Sequence, residues 1–387
     1  MSTLTWATGF EHGLATPVTS GGGLFDYVTG TALAVGATAA RTGSYGLRIY
    51  PTTTATSIGK LVAGTPTYVV GRVYVRFATK PSATTDIIWQ VCGTPIFTIS
   101  FVQSTSKFRA QITGGTSQAG PDVVVDTWYR IDFRFYCGGT TWTIDWQVDG
   151  VDQTQATLGG QSASTFTTGT RIGCGDAITM DMYVDDVARS ETSGDYPIGA
   201  GGVIGLRPNA DGTHNNAANI MELSDGTDIK NANGGAAVTA WDVLDEDPWI
   251  TTANADYVKQ SGIEATKYCE INFADTTETV IHGVRAIQQD ASSGPAANNA
   301  KTYILDSDAQ STTLYSGDVS NTSAYYRSVQ VATPSGGWTQ AYVNSLKCRF
   351  GYSSDVTDIP YWLAIMLEVA YGTVTPSAWI PKVIMVM

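Results

Sequence analysis

Apolar and polar residues alternate with a period of two through much of the first 190 residues. Val73, Val75 and Phe77 alternate with Arg72, Tyr74 and Arg76, and Phe108, Ala110 and Ile112 alternate with Lys107, Arg109 and Gln111. A strand with one buried and one wetted face reads this way, because successive side chains point to opposite faces of a sheet. The plainest unit is a hairpin with arms Trp128–Tyr136 and Trp142–Val148, in which Tyr129, Ile131, Phe133 and Phe135 share one side of the first arm. A two-residue Gly138-Gly139 loop suits a type I′ turn, which needs positive φ at both positions. It would set Phe135 across from Trp142, Phe133 from Ile144 and Ile131 from Trp146, one buried face that makes Trp142 and Trp146 core residues. Strands at such short spacing, with turn signals such as Asp149-Gly150 between them, predict a sandwich of two sheets.

From Arg189 to Gly202 the chain turns polar and glycine-rich, so a linker is expected over 193–202 between a first domain over 1–192 and a second over 203–387. The second domain is expected to hold strands over 203–207, 268–273, 279–289, 325–332 and 361–371, with one short helix within 338–346. No repeat of fixed period occurs. A length of 387 residues exceeds what a single core usually serves. Forty-one glycines and nineteen tyrosines, with few good helix formers, keep the reading all-β.

Composition narrows the functions. A formal charge of −13 and a pI near 4.6 would repel a phosphate backbone, and no basic run offsets that field. Nucleic acid is therefore not expected as a partner. The dense apolar stretch from Trp362 to Tyr371 contains Glu368 and is far shorter than the roughly 20 residues that cross a bilayer. It reads as a buried strand, with no membrane insertion. The first eight residues lack the basic and apolar segments of a secretory signal, so synthesis in the cytoplasm without export is expected. Five cysteines (Cys92, Cys137, Cys174, Cys269, Cys348) are scattered and form no CxxC pair, as for buried reduced thiols with no assigned chemistry.

Several landmarks act together over residues 3–190: Gly9-Phe10-Glu11, Arg41-Thr42-Gly43-Ser44-Tyr45-Gly46-Leu47-Arg48-Ile49, Asp126-Thr127-Trp128-Tyr129-Arg130, Val148-Asp149-Gly150, and Met182-Tyr183-Val184-Asp185-Asp186-Val187. This segment resembles the concanavalin A-like lectin/glucanase family, of laminin-G type, and the resemblance implies a jelly-roll sandwich. The closing landmark, Val203-Ile204-Gly205-Leu206-Arg207-Pro208-Asn209-Ala210-Asp211-Gly212 and Trp241-Asp242-Val243-Leu244-Asp245-Glu246 together make the whole chain similar to a family of tailed-bacteriophage virion proteins. There a lectin-like domain precedes a second β-domain, and members belong to the tail or the particle surface. The resemblance implies a non-catalytic minor tail or decoration protein in the virion, which assembles with other virion proteins and with copies of itself and touches host-surface glycan. The alternatives are a carbohydrate-binding module acting outside a virion and, least favoured, a glycan hydrolase.

No residue set qualifies as catalytic. The glucanase Glu-x-Asp-x-x-Glu strand is absent, and Asp145 and Asp149, four strand residues apart, stand about 13 Å from each other, too far to act as a pair. The expected register would bring Asp132 opposite Asp145 on the solvent face, where two carboxylates could share a proton or a metal; neutralisation by Arg130 and Arg134 is the favoured reading. Asp185 and Asp186 suit a calcium rim site by chemistry, yet adjacent strand residues point apart unless a bulge intervenes, so a solvated strand end is the favoured reading. Asn209-x-Asp211-Gly212 is expected as a tight turn rather than a calcium loop. His12, His214 and His282 are too dispersed for zinc, and the glycines of 199–205 read as linker rather than phosphate cradle. Trp89 could stack a sugar, but a core role is favoured. No cofactor is expected, and neither a ligand-binding nor a metal-binding set can be named.

Overall fold

The computed structural model describes residues 4–14, 24–212, 221–222, 244–245, 258–260, 269–292, 300–306, 309–317, 319, 325–352 and 360–372. The chain is nearly all β, and its described strands form four antiparallel sheets. The first sheet runs Val151–Asp152, Trp142–Val148, Trp128–Tyr136, Tyr68–Thr79, Asp181–Ser190, Gly46–Ile49, Leu33–Gly36, with Leu4–Thr8 also paired to Asp181–Ser190. The second runs Ser117–Asp122, Lys107–Ile112, Ile96–Val102, Thr85–Val91, Gly169–Cys174, Thr56–Leu61, Tyr27–Thr29. Their inner faces meet through aromatic rings: Phe97 lies 5.5 Å from Phe135 and 5.8 Å from Trp142, and Phe108 lies 5.2 Å from Tyr129. The predicted alternation holds in Lys107–Ile112, where Phe108, Ala110 and Ile112 are buried. In Tyr68–Thr79, however, Arg72 and Tyr74, expected on a wetted face, are buried along with Val73, Val75 and Phe77, because the chain after Ser190 covers that side.

The hairpin forms, but its register is offset by two residues from the expected one. Phe133 lies opposite Trp146, Phe135 opposite Ile144, Ile131 opposite Val148, and Arg134 opposite Asp145. The cause is the turn. Cys137 leaves the ladder to donate its backbone N–H to Thr67 at 3.1 Å, and neither Gly138 nor Gly139 takes positive φ. The connection therefore spans Cys137 to Thr141 instead of two residues. An offset of two keeps every side chain on its face, so Trp142 and Trp146 remain core residues, 5% and 1% exposed. At the other end Asp149 and Gly150, with φ of 52° and 83°, form the two-residue turn that pairs Val148 with Val151.

The third sheet runs Met221–Glu222, Val258–Gln260, Pro360–Gly372, Ile281–Ser292, Tyr325–Gln330, with Gly201–Leu206 along the other part of Pro360–Gly372. The fourth runs Pro208–Asp211, Cys269–Phe273, Leu346–Tyr352, Ala300–Asp306, Ala309–Gly317. One helix, Gln340–Asn344, falls in the expected window, capped by Thr339, whose hydroxyl accepts the Tyr342 N–H at 3.1 Å. The apolar stretch from Trp362 is a strand buried as far as Ala370, like its neighbour Ile281–Ser292. One of its faces packs in the core of the third and fourth sheets, where Trp362 meets Phe350. The opposite face of the same two strands presents Ile287, Ala364 and Met366 to the cluster of Trp6, Phe10 and Phe25.

Residues 193–202, read from sequence as linker, hold a single 3-10 turn, Ser193–Asp195, and the start of the strand Gly201–Leu206. The glycines there fit tight packing. A Cβ on Gly202 would come within 2.6 Å of the Tyr371 hydroxyl, and one on Gly205 within 2.7 Å of Met366 and 2.8 Å of Glu11. Asn209 and Asp211, expected in a tight turn, lie instead in Pro208–Asp211, whose neighbour Gly212 donates to Glu270 O at 2.7 Å.

Candidate functional site

Asp132 and Asp145 do not face each other. With the observed register Asp132 lies opposite Gln147, and Arg134 binds Asp145 at 3.0 and 3.1 Å. Asp132 is fully buried rather than on a wetted face, because the chain at Gly199 covers it; it accepts the Gly199 N–H at 2.8 Å and Arg130 Nε at 2.7 Å. Burial raises its carboxyl above the usual carboxylate value, and Arg130 opposes that. Of the two arginines expected to neutralise Asp132 in a surface ladder, only Arg130 does so; Arg134 pairs with Asp145.

Asp185 and Asp186 are fully buried rather than at a solvated strand end, and they act on one side because a bulge interrupts the ladder after Asp185 and Asp186 takes φ of 52°. Asp185 accepts the backbone N–H groups of Arg41 at 2.6 Å, Thr42 at 3.2 Å and Asp186 at 2.7 Å. Asp186 accepts Arg41 Nε at 2.7 Å, the Thr42 hydroxyl at 2.6 Å and the Val203 N–H at 2.6 Å. Donors occupy the positions where a cation would sit, so these carboxylates as arranged do not fit calcium. Among the described residues no group of three or more His, Cys, Asp and Glu is placed to hold a metal. Burial first, then Asp186, raises the Asp185 carboxyl well above its ordinary value.

These residues belong to a joint between the first two and the last two sheets. Glu11 accepts the Ser44 N–H at 3.0 Å, and burial pushes its carboxyl up to about 8, with Glu368 and Asp186 adding to the rise. Glu368, itself buried and raised by burial, accepts Thr8 Oγ1 at 3.0 Å and meets Arg285 at 3.3 Å. Arg285 also donates to Ala7 O at 3.2 Å and Leu24 O at 3.1 Å. Arg72 donates to the carbonyls of Asp186, Gly199, Gly202 and Tyr371 at 3.2 to 3.4 Å. The segments singled out in the sequence, around Glu11, Arg41 and Asp186, thus converge on this joint, and their chemistry there is structural. His12, buried, accepts the Leu14 N–H at 3.1 Å, and burial lowers it to about 3; burial likewise lowers His282 to about 4. His214, like Trp241 to Val243, lies outside the described residues.

Among the described residues, the outward face of the first sheet carries a row of rings and guanidinium groups. Trp128 lies opposite Arg76, Arg76 opposite Tyr183, and Tyr183 opposite Arg48, a continuous row across four strands. All four side chains are half-buried. The Arg76 guanidinium sits 5.3 Å from the Trp128 ring and 4.4 Å from Tyr183, and it is held by donation to Thr38 O at 3.0 Å. Arg48 lies 4.7 Å over the ring of Tyr50, which is 37% exposed, and grips Asp181 with two bonds of 2.9 and 2.8 Å. Trp128 and Tyr183 stand two strands apart, roughly 10 Å. The signal for this row was present in the sequence: Trp128 falls in phase with Arg130 and Arg134, and Tyr183 out of phase with Met182 and Val184. A large ring on a wetted phase is the informative exception. Trp89, favoured as core, is instead half-buried on the outer face of the second sheet, opposite Arg171 and Thr98.

No protein-family model matches the sequence, and neither does any curated protein. Among solved structures, a cellulose-induced protein, Cip1, aligns at 13% identity and a TM-score of 0.34 over 41% of this chain and 85% of its own. Domain 4 of AbnA, an extracellular GH43 arabinanase from Geobacillus stearothermophilus solved with arabinotriose, aligns at 13% identity and a TM-score of 0.34 over 49% of this chain and 92% of its own. A Trypanosoma rangeli sialidase aligns at 10% identity and a TM-score of 0.28, and this chain covers 25% of it. At such identities and TM-scores these likenesses assign neither ligand nor activity to this chain.

Proposed function

We propose that this protein is a non-catalytic, glycan-contacting component of a tailed-bacteriophage particle, assembled with other virion proteins and with copies of itself. The observation that carries the glycan part is the row Trp128, Arg76, Tyr183 and Arg48. Saccharide sites combine ring faces, on which the apolar side of a pyranose lies, with a few fixed hydrogen-bonding groups. Here the rings are held in place by guanidinium groups that are themselves anchored to Thr38 and Asp181, so little side-chain freedom is lost on binding. The virion part rests on the resemblance over Met182–Val187, 203–212 and 241–246. The non-catalytic reading is supported by Asp132 and Asp145, the pair that the expected register would have set face to face, each being held in its own ion pair.

The test is an array of bacterial-surface polysaccharides probed with the full chain, with release of sugars measured in parallel. Binding without release, lost in Trp128→Ala and kept in Trp89→Ala, is expected. Release of sugars by the pure chain would replace this reading with the hydrolase. Mass spectrometry of purified phage particles addresses the virion part; binding by a chain never found in particles would leave a free carbohydrate-binding module.

A further inference from the structure

Two of the five cysteines, more than forty residues apart in sequence, meet between the sheets of the first sandwich. Cys92 follows the strand Thr85–Val91 of the second sheet, and Cys137 follows Trp128–Tyr136 of the first. Their thiols converge on one short segment: Cys92 Sγ donates to Thr165 O at 3.5 Å, and Cys137 Sγ to Ser164 O at 3.4 Å. Each thiol is also the neighbour with the largest effect on the other's proton affinity. Both residues are fully buried. Cys174 donates to Asp176 O at 3.1 Å elsewhere in this sandwich, and Cys269 and Cys348 belong to the fourth sheet.

We propose that Cys92 and Cys137 are a redox pair that closes into a disulfide joining the two sheets when the protein meets a disulfide oxidant such as oxidised glutathione. The influence of each thiol on the other lowers the Cys92 thiol and raises that of Cys137, which makes Cys92 the first to form the attacking thiolate. Cys92 attacks a glutathione sulfur, the glutathione disulfide breaks, and one glutathione thiolate leaves. Cys137 then loses its proton and attacks the Cys92 sulfur of the mixed disulfide, expelling the second glutathione. Two cysteine thiols lose two electrons and two protons, and one oxidised glutathione becomes two reduced ones. Both cysteines sit just beyond strand ends, where local opening admits a small oxidant. This inference is independent of the glycan reading.

The full chain is equilibrated in glutathione buffers from reducing to oxidising, approached from both directions, and followed by thiol titration, peptide mapping without reduction, and near-ultraviolet circular dichroism. The titre is expected to fall from five thiols to three with one Cys92–Cys137 link and an unchanged native spectrum. Cys92→Ala and Cys137→Ala should each retain all four remaining thiols. Five free thiols in the most oxidising buffer, a stable glutathione adduct, or links among other cysteines would overturn the proposal, and the wild-type chain alone decides between these results.

Discussion

Glu11 shows how burial changes a single residue. Its carboxyl, 4% exposed and near Glu368 and Asp186, binds its proton more tightly in the folded chain than its ordinary value of 4.5 would allow, up to about 8. A group raised on folding contributes stability that is complete below about pH 4.5 and is lost as pH rises toward 8, because over that window the unfolded chain has released the proton and the folded chain still holds it. The slope is at most about 1.4 kcal/mol per pH unit. Urea unfolding of wild type and Glu11→Gln between pH 5 and 8 should give curves that diverge in favour of Gln as pH rises; parallel curves would mean that Glu11 is ionised throughout. Sequence showed Gly9-Phe10-Glu11 as a landmark but could not place it, since its partners Ser44, Asp186 and Glu368 lie 33, 175 and 357 residues away.

At the scale of elements, alternation identified the strands and their buried faces because period and burial are local properties. It missed the register, since that depends on the turn, and Cys137 is drawn to Thr67 by a contact that no local pattern reports. The offset has a measurable consequence. Asp145 and Arg134 form a partly exposed pair, so Asp145→Ala should cost under about 1 kcal/mol. Asp132→Ala removes the partner of a largely buried Arg130 and of the Gly199 N–H, and should cost about 3 kcal/mol. Denaturant unfolding of the two variants checks this, and equal costs would favour the two carboxylates facing each other. The doubled aspartate posed the same difficulty. Strict alternation separates Asp185 from Asp186, and the bulge that unites them becomes visible only when the strand pairs with Tyr68–Thr79.

For the whole molecule, an all-β class with paired sheets followed from composition and strand spacing. What the sequence could not convey is how closely the first and last pairs of sheets are joined. The glycines of 199–205 looked like slack chain, yet they lie where a Cβ would strike Tyr371, Met366 or Glu11. Arg285, 3% exposed, and Glu368, fully buried, form a cross-strand ion pair within the third sheet and bond across this joint to Ala7 O and the Thr8 hydroxyl. Removing one member leaves a buried charge without its partner. Arg285→Met should therefore cost about 3 to 5 kcal/mol. Calorimetry should show one transition for the wild type, because neither side of the joint can separate without exposing these charges; two transitions, the first unaffected by Arg285→Met, would mean that the two sides unfold separately.

The same joint covers the middle of the first sheet's outer face at Asp132, Arg72 and Asp186 and leaves the row of Trp128, Arg76, Tyr183 and Arg48 half-exposed beside it. Glycan recognition by that row is the central claim. The measurement that tests it most directly is titration calorimetry of the full chain with the polysaccharide it binds best, comparing wild type, Trp128→Ala, Tyr183→Ala and Trp89→Ala. Truncating a ring that carries binding costs more than about 1 kcal/mol, so Trp128→Ala and Tyr183→Ala should each weaken binding at least fivefold while Trp89→Ala matches wild type. Unchanged affinity in both row variants, with native spectra, would contradict the assignment of this face as the glycan site.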